Sequence, residues 1–181
     1  TGINEICQGT TTSFNAGTYA SYIWSTGETT AVITTGTAGT YVVTVTDANG
    51  CVNSTSESLT VFALPTATIS GISEICIGQS STIGVTLTGD APFVFTYAAA
   101  GNPLAPVTSN TANSTINVTP LVTTDYTLVT ISDAHCLGTV NGLAQVSVNP
   151  LPEPVIVGDL AICDGETTSL GTTQNYAAYT W

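Results

Sequence analysis

The chain has 181 residues, with no lysine or arginine, twelve carboxylate side chains and one histidine, so its formal net charge is −12 at pH 7. Proteins that bind nucleic acid use Lys and Arg to displace counterions from phosphate, so we expect no nucleic-acid partner. No apolar run approaches the roughly 18 residues that a membrane-spanning helix needs, so we expect no direct insertion into a membrane.

The first third of the chain predicts a series of short β-strands. One face of residues 41–46 would carry Tyr41, Val43 and Val45, and the other Val42, Thr44 and Thr46, an alternation that is typical of a half-buried strand. Asn49-Gly50 supplies the positive φ that a tight hairpin requires before the next strand. The predicted strands of this region lie near residues 10–14, 19–24, 30–34, 39–47 and 51–62.

The middle of the chain continues the same pattern, and helical periodicity is absent throughout. Its predicted strands lie near residues 66–70, 80–88, 93–98, 114–119, 124–133 and 137–148. Short strands with turns every 8–12 residues indicate an antiparallel sandwich. The strand near residues 19–24 carries Trp24, and a tyrosine opens each penultimate strand at Tyr41 and Tyr126. We therefore predict an all-β fold of tandem immunoglobulin-like antiparallel β-sandwich modules, arranged end to end.

An internal repeat defines the modules. The motif Ile-Cys-x-Gly occurs three times, with its cysteine at positions 7, 76 and 163. The predicted boundaries are residues 1–65 for the first module, 66–152 for the second, and 153–181 for the N-terminal part of a truncated third. Prolines lie at the joints, at Pro65, Pro150, Pro152 and Pro154, and short proline-containing linkers are stiff.

The second half of each complete module also repeats. Ten residues separate the tyrosine from the following cysteine in both modules, from Tyr41 to Cys51 and from Tyr126 to Cys136. The intervening aspartate nevertheless lies four residues before the first cysteine and three before the second. This one-residue shift predicts a β-bulge in the second module.

Five cysteines fit an oxidised protein once the repeat is taken into account. We predict disulfides between Cys7 and Cys51 and between Cys76 and Cys136, each joining the opening of a module to its last hairpin, and a partner for Cys163 beyond residue 181. The alternative, a metal site, needs cysteines clustered as in CxxC, and none are. Disulfides imply an oxidising, extracellular setting.

Conspicuous aromatic residues have two interpretations. Recurrence at the same place in successive modules favours packing in the core for Trp24, Tyr41, Tyr126 and Trp181. Alternatively, Tyr22 and Trp24 share one face of a strand and could form a glycan-stacking platform.

Catalytic and metal sites have little support. His135 and Cys136 could suggest a thiol nucleophile, but neighbours on a strand point to opposite faces. Asp47, Asp133 and Asp159 are candidate Ca²⁺ ligands, but they are scattered and equally fit turn-capping. We expect no catalytic residue, no enzyme activity and no cofactor, with Ca²⁺ left as the open possibility.

One more sequence pattern bears on the family of the chain. It consists of Tyr22-Ile23-Trp24-Ser25-Thr26-Gly27 followed by Gly39 to Cys51. With the Ile-Cys-x-Gly motif, it resembles the Ig-like and PKD-like tandem repeats of giant cell-surface adhesins of the Bacteroidota, including gliding-motility adhesins of the SprB type. The second module departs from the pattern, since it lacks Trp-Ser-Thr-Gly and has His135 in the hairpin. The resemblance implies type IX secretion and display at the extracellular surface.

The resulting functional expectation is a structural and adhesive segment of a long cell-surface filament. Its partners would be neighbouring modules of the same chain, and a surface polysaccharide or the substratum. The alternatives are a glycan-binding Ig-like module and a non-catalytic spacer of a large secreted enzyme.

Overall fold

The computed structural model describes residues 3–180, and every regular element in this part of the chain is a β-strand. The strands of the first module are β1 (Glu5–Cys7), β2 (Thr12–Asn15), β3 (Ser21–Trp24), β4 (Val32–Thr35), β5 (Gly39–Thr46) and β6 (Val52–Phe62). Those of the second are β7 (Thr66–Cys76), β8 (Ser81–Thr88), β9 (Phe93–Ala99), β10 (Asn102–Pro103), β11 (Val107–Ser109), β12 (Asn113–Val118), β13 (Thr124–Ser132) and β14 (Thr139–Asn149). Two short strands follow, β15 (Ile156–Val157) and β16 (Gly171–Thr172).

The first module is a small sandwich. One sheet has the order β1-β6-β5-β3, and the β2-β4 pair lies opposite. Side chains from the two sheets meet between them, as when the rings of Phe14 and Tyr41 approach to 5.4 Å between centroids. The core consists of Phe14, Trp24, Ile33, Tyr41, Val43 and Leu59.

The second module has a larger core, and its opening strand belongs to both halves of the sandwich. Residues 66–70 of β7 pair antiparallel with β8, while the whole of β7 pairs parallel with β14. The sheet order is β10-β9-β13-β14-β7-β8-β12, with β11 also paired to β9. The most deeply buried side chains include Ile69, Phe95 and Val146, all inaccessible to solvent.

Both modules share a parallel pairing of the opening strand with the last strand. Cys7 at the end of β1 lies opposite Phe62 at the end of β6. Cys76 at the end of β7 lies opposite Asn149 at the end of β14. The opening cysteine of each module therefore lies at the end where the last strand leaves for the next module.

The all-β tandem immunoglobulin-like fold predicted from the sequence is confirmed, and all eleven predicted strands are present with bounds shifted by a few residues. The predicted bulge is confirmed too, since the register between β13 and β9 shifts between Leu128 and Thr130. The short strands β1, β10, β11, β15 and β16 were not predicted, and β7 runs six residues beyond its predicted end.

After the second module, β15 pairs with β16 in a two-stranded sheet. Trp181, predicted to belong to a core, lies outside the described residues. Within residues 3–180, no helix has the length and apolar character needed to cross a membrane.

Candidate functional site

A tight turn follows the opening cysteine of each repeat. The backbone N–H of Thr10 donates to the carbonyl of Cys7, and that of Gln79 donates to the carbonyl of Cys76. The third residue of each turn is a glycine with positive φ, 86° at Gly9 and 89° at Gly78. This φ is that of the third position in a type II turn, which favours glycine. The third repeat forms the same turn at Cys163, so the Cys-x-Gly motif encodes a local structure.

A second conserved geometry shapes the hairpin before the last strand. In the first module, the Asp47 carboxylate accepts hydrogen bonds from the backbone N–H groups of Asn49 and Cys51, at 2.8 and 2.9 Å. In the second, the Asp133 carboxylate accepts from His135 and Cys136, at 2.9 and 2.7 Å. Each aspartate thus closes the turn that places the hairpin cysteine.

These hydrogen bonds favour the ionised carboxylates. The N–H of Cys51, with further help from Asn49 and Gly50, holds the pKa of the Asp47 carboxyl below its ordinary value. Partial burial raises the pKa of Asp133, but the backbone N–H groups of Asp90, Cys136 and His135 outweigh it, and its pKa is also lowered. Both hairpins are therefore best formed when these groups are charged.

The site with the most features is the joint between the two modules. A disulfide bonds Cys7 of the first module to Cys136 of the second, with 5.8 Å between the Cα atoms. Beside it, the rings of Phe62 and His135 stack with centroids 3.6 Å apart and planes 5° from parallel. The end of the first module is thus joined to the hairpin of the second by a covalent bond and an aromatic contact.

The linker between the modules is also fixed. Pro65 is fully buried, and its carbonyl accepts a hydrogen bond of 3.0 Å from the N–H of Thr139. Gly138 lies so close that a Cβ at this position would overlap the Pro65 carbonyl. Gly89, at φ 120°, leaves room for the Pro65 ring on its other side. These contacts fix the end of the linker against the second module.

The observed pairing corrects the predicted disulfides. Cys7 is bonded to Cys136 instead of Cys51, and Cys51 and Cys76 are free and exposed. Cys163 is also free, and its partner beyond residue 181 stays a prediction. The last strand of each module is 11 residues long, about 35 Å at the usual rise per residue. The two cysteines of one module lie at opposite ends of it, and cysteines more than about 7 Å apart between Cα atoms cannot be bridged. Pairing within a module is therefore impossible.

The residues of this joint were not found from the sequence as a site. Cys7, Phe62 and His135 come from three distant segments. The parallel pairing of β1 with β6 places Cys7 beside Phe62, and the packing of the second module against the first brings His135 to them. An available signal was the length of the segment after each hairpin cysteine, which predicts a strand long enough to separate that cysteine from the far end of its module.

The aromatic residues considered for the core or for glycan binding are packed inside. Trp24 is only 5% exposed, and its indole N–H donates to the carbonyl of Thr30 at 2.8 Å. Tyr41 and Tyr126 are also buried. A buried Trp24 ring offers no stacking surface, which corrects the interpretation of Tyr22 and Trp24 as a glycan platform.

The Tyr22 hydroxyl has a structural role. It donates to the carbonyl of Gly17 and accepts from the N–H of Tyr19. The Tyr179 hydroxyl makes the equivalent pair of bonds with Gln174 and Tyr176 in the third repeat. The repeated Tyr-x-x-Tyr sequence therefore folds a loop.

The candidates for catalysis and metal binding are not brought together. The Cys136 sulfur is held in a disulfide, so it is no thiol nucleophile beside His135. Asp47 and Asp133 lie in the hairpins of different modules, and Asp159 is exposed in an irregular segment. No group of three or more His, Cys, Asp or Glu side chains suited to a metal ion occurs among residues 3–180.

Comparison with known proteins supports the fold. Residues 65–145 match the family model of the Ig-like domain of nucleoporin POM152. No curated protein sequence matches the chain. Among solved structures, the I-band fragment I67–I69 from titin is similar at 12% identity and TM-score 0.58, covering 94% of this chain and 73% of that one. An E-to-A mutated variant of the same three titin domains matches at 13% identity with the same TM-score and coverage.

The class is thus defined: the chain is a tandem of immunoglobulin-like β-sandwich modules, a fold that is typically non-catalytic. An all-β chain with a disulfide is consistent with an extracellular domain.

Proposed function

We propose that the chain is a structural and adhesive segment of a long extracellular filament on a cell surface, with module boundaries after Pro65 and Pro152. The observation that carries this proposal is the joint, where Cys7–Cys136 bonds the end of one module to the hairpin of the next. A free-standing recognition module has no need of a covalent bond to its neighbour, whereas a rod that bears load along its length benefits from one.

The mechanism is mechanical. The buried Pro65 anchors the linker on the second module, the Phe62–His135 stack joins the two modules, and the disulfide prevents their separation. A series of such joints transmits force and projects the far end of the chain away from the cell. Many weak contacts presented in series along the rod, to surface polysaccharide or to the substratum, add up to strong attachment.

The surface chemistry supports an extracellular rod. With no Lys or Arg and twelve carboxylates, the chain carries sparse charge of one sign. Like-charged rods repel each other, so neighbouring filaments stay separate. The absence of Lys and Arg also removes the cleavage sites of trypsin-like proteases.

The finer assignment rests on the sequence resemblance. We propose that the whole protein is a surface adhesin of the gliding-motility type, exported by type IX secretion in a member of the Bacteroidota. The Ile-Cys-x-Gly and Gly39 to Cys51 motifs support this.

The test is immunogold labelling of intact cells with antibodies raised against residues 1–181. We expect gold particles along surface fibres, and a strain lacking the gene should lose the fibres, attach less to glass or polysaccharide, and glide more slowly. Label confined to the cell interior would contradict the proposal of surface display. Fibre loss with normal attachment and gliding would contradict only the adhesive role.

A further inference from the structure

We infer that the Cys7–Cys136 disulfide is one member of a repeating series, in which the opening cysteine of each module is bonded to the hairpin cysteine of the module that follows. Cys76 is then bonded to the hairpin cysteine of the module that follows. Cys51 is bonded to the opening cysteine of the module that precedes. This inference goes beyond the proposed function and holds whether or not the filament is adhesive.

The end of the second module reproduces the end of the first. Both carry the tripeptide Glu-Ile-Cys, at residues 5–7 and 74–76. The residue after each cysteine donates its N–H to the last residue of the last strand, Gln8 to Phe62 at 2.8 Å and Ile77 to Asn149 at 2.9 Å. The turns that follow have the same hydrogen bond and the same glycine φ. Cys76 is therefore held as Cys7 is held.

The hairpin of the first module likewise reproduces that of the second. Asp47 N–H donates to the carbonyl of Cys51, and Asp133 N–H donates to that of Cys136, both at 3.0 Å. Each aspartate carboxylate also binds the N–H of its cysteine. Cys51 thus makes the same two backbone hydrogen bonds to its aspartate as Cys136, in a hairpin that is one residue longer, and it lies exposed at the end of the first module remote from the joint.

The layout allows no other pairing between these cysteines. Two last strands of 11 residues each, joined end to end, separate Cys51 from Cys76, which is roughly 70 Å. A module has a hairpin cysteine at one end and an opening cysteine at the other. A disulfide can therefore form only across a joint, as it does between Cys7 and Cys136.

The partner of Cys76 can be described by its chemistry. In the first joint, Glu5, Ile6 and Phe62 face Ala134 and His135 of the incoming hairpin. At the end of the second module, Asn149 takes the place of Phe62, and its amide N–H donates to Glu74 at 2.7 Å. This polar end suits a hairpin of the Asp-Ala-Asn-Gly-Cys type, which has an asparagine where the second module has His135.

Each new bond requires an oxidant. Two thiols lose two protons and two electrons as the sulfur–sulfur bond forms. A disulfide, either a protein dithiol oxidase or a small-molecule disulfide, accepts them and is reduced to two thiols. The oxidising extracellular route that the first bond implies supplies this class of reagent.

The test is disulfide mapping of the full protein as the cell exports it. Free thiols are blocked with N-ethylmaleimide, the protein is digested with pepsin at low pH to prevent exchange, and the linked peptides are identified by mass spectrometry. We expect the Cys76 peptide to be linked to a hairpin peptide of the following repeat, and the Cys51 peptide to an Ile-Cys-x-Gly peptide of the preceding one. A link from Cys76 to Cys136, or N-ethylmaleimide on Cys51 and Cys76, would overturn the inference.

A second experiment uses residues 1–181 extended by another copy of residues 25–65, because residues 176–181 match 19–24 in sequence. This chain supplies the hairpin that the third repeat needs. We expect Cys76 to become protected from maleimide and linked to the appended hairpin, while Cys7–Cys136 forms as before. The matched control carries Cys51→Ser in the appended copy only, and there Cys76 should label completely. Equal labelling of Cys76 in both chains, with Cys7–Cys136 intact, would contradict the inference whatever the cell-surface imaging shows.

Discussion

Phe62 and His135 lie face to face across the joint, with their planes 5° from parallel, although they belong to different modules. Aromatic pairs of this kind contribute about 0.5–1.5 kcal/mol beyond the area they bury. We predict a coupling free energy of that size in a double-mutant cycle of Phe62→Ala and His135→Ala, measured by chemical denaturation of the oxidised chain. Additive effects of the two substitutions would show that the stack contributes nothing to the joint.

When the chain is pulled from its two ends, the disulfide should keep most residues from bearing the force. Cys7 and Cys136 are 129 positions apart, so a chain pulled from its two ends bears force through the bond and not through residues 8–135. Reduction should release about 430 Å of additional contour length at roughly 3.3 Å per residue. Single-molecule force spectroscopy with and without reductant measures this difference.

The matched control for that experiment is Cys76→Ser, which removes a cysteine that is free in this chain and should leave the extension unchanged. Cys7→Ser should instead give the long extension without reductant. An oxidised chain that already extends to its full length would contradict the observed pairing.

Gly138 should tolerate no side chain. The variant Gly138→Ala places a Cβ against the carbonyl of Pro65 and strains the hydrogen bond from Thr139 to that carbonyl. We expect a loss of about 1–3 kcal/mol in the free energy of unfolding, as for other overpacked sites. Gly84→Ala is the control, since a Cβ there meets nothing within 4 Å and should cost little. Equal effects of the two substitutions would contradict the tight packing of the linker.

Stability should fall in acid partly because of Asp133. Its pKa is lower in the folded chain than the ordinary value near 3.9 expected when unfolded. The ionised carboxylate therefore stabilises the fold fully above that ordinary value, and this contribution disappears as the pH falls through the folded pKa. Urea denaturation at pH 6 and pH 2.5 should show a larger drop in midpoint for the native chain than for Asp133→Asn. The same drop in both would exclude this carboxylate as a cause.

Trp24 should matter for stability. Trp24→Ala should cost about 3–5 kcal/mol, as for other buried aromatics. Trp24→Phe should cost about 0.5–1.5 kcal/mol through the lost hydrogen bond to Thr30. The control is Ile23→Ala. Ile23 is adjacent to Trp24, lies on the opposite face of the strand and is 63% exposed, so this substitution should change stability by less than roughly 0.5 kcal/mol. A tolerated Trp24→Ala would argue against a core role.

Local sequence patterns were enough to predict most strands, because alternation and turn residues act over a few positions. The spacing of Asp133 from Tyr126 even indicated the bulge near Leu128, since one extra residue between two fixed points of a strand has to be accommodated locally.

The disulfide pairing could not be predicted in the same way. It depends on the direction in which β1 runs along β6, and three residues of strand contain no signal for a parallel partner more than fifty positions away. Two cysteines in one repeat suggested a bond within it, although the long strand predicted after each hairpin cysteine already separates that cysteine from the far end of its module. Joints between modules depend on contacts that no single repeat contains, which is why Phe62 and His135 were not recognised as a pair.

The bond from Cys7 to Cys136 also closes a covalent ring that contains the backbone of residues 8–135. Cutting the backbone once anywhere in that ring leaves both fragments joined through sulfur. A protease would have to cut twice within the ring to release a fragment, and a single cut would leave the chain covalently continuous from end to end. Tolerance to damage thus follows from placing the bond across the joint, where it encloses parts of two modules at once.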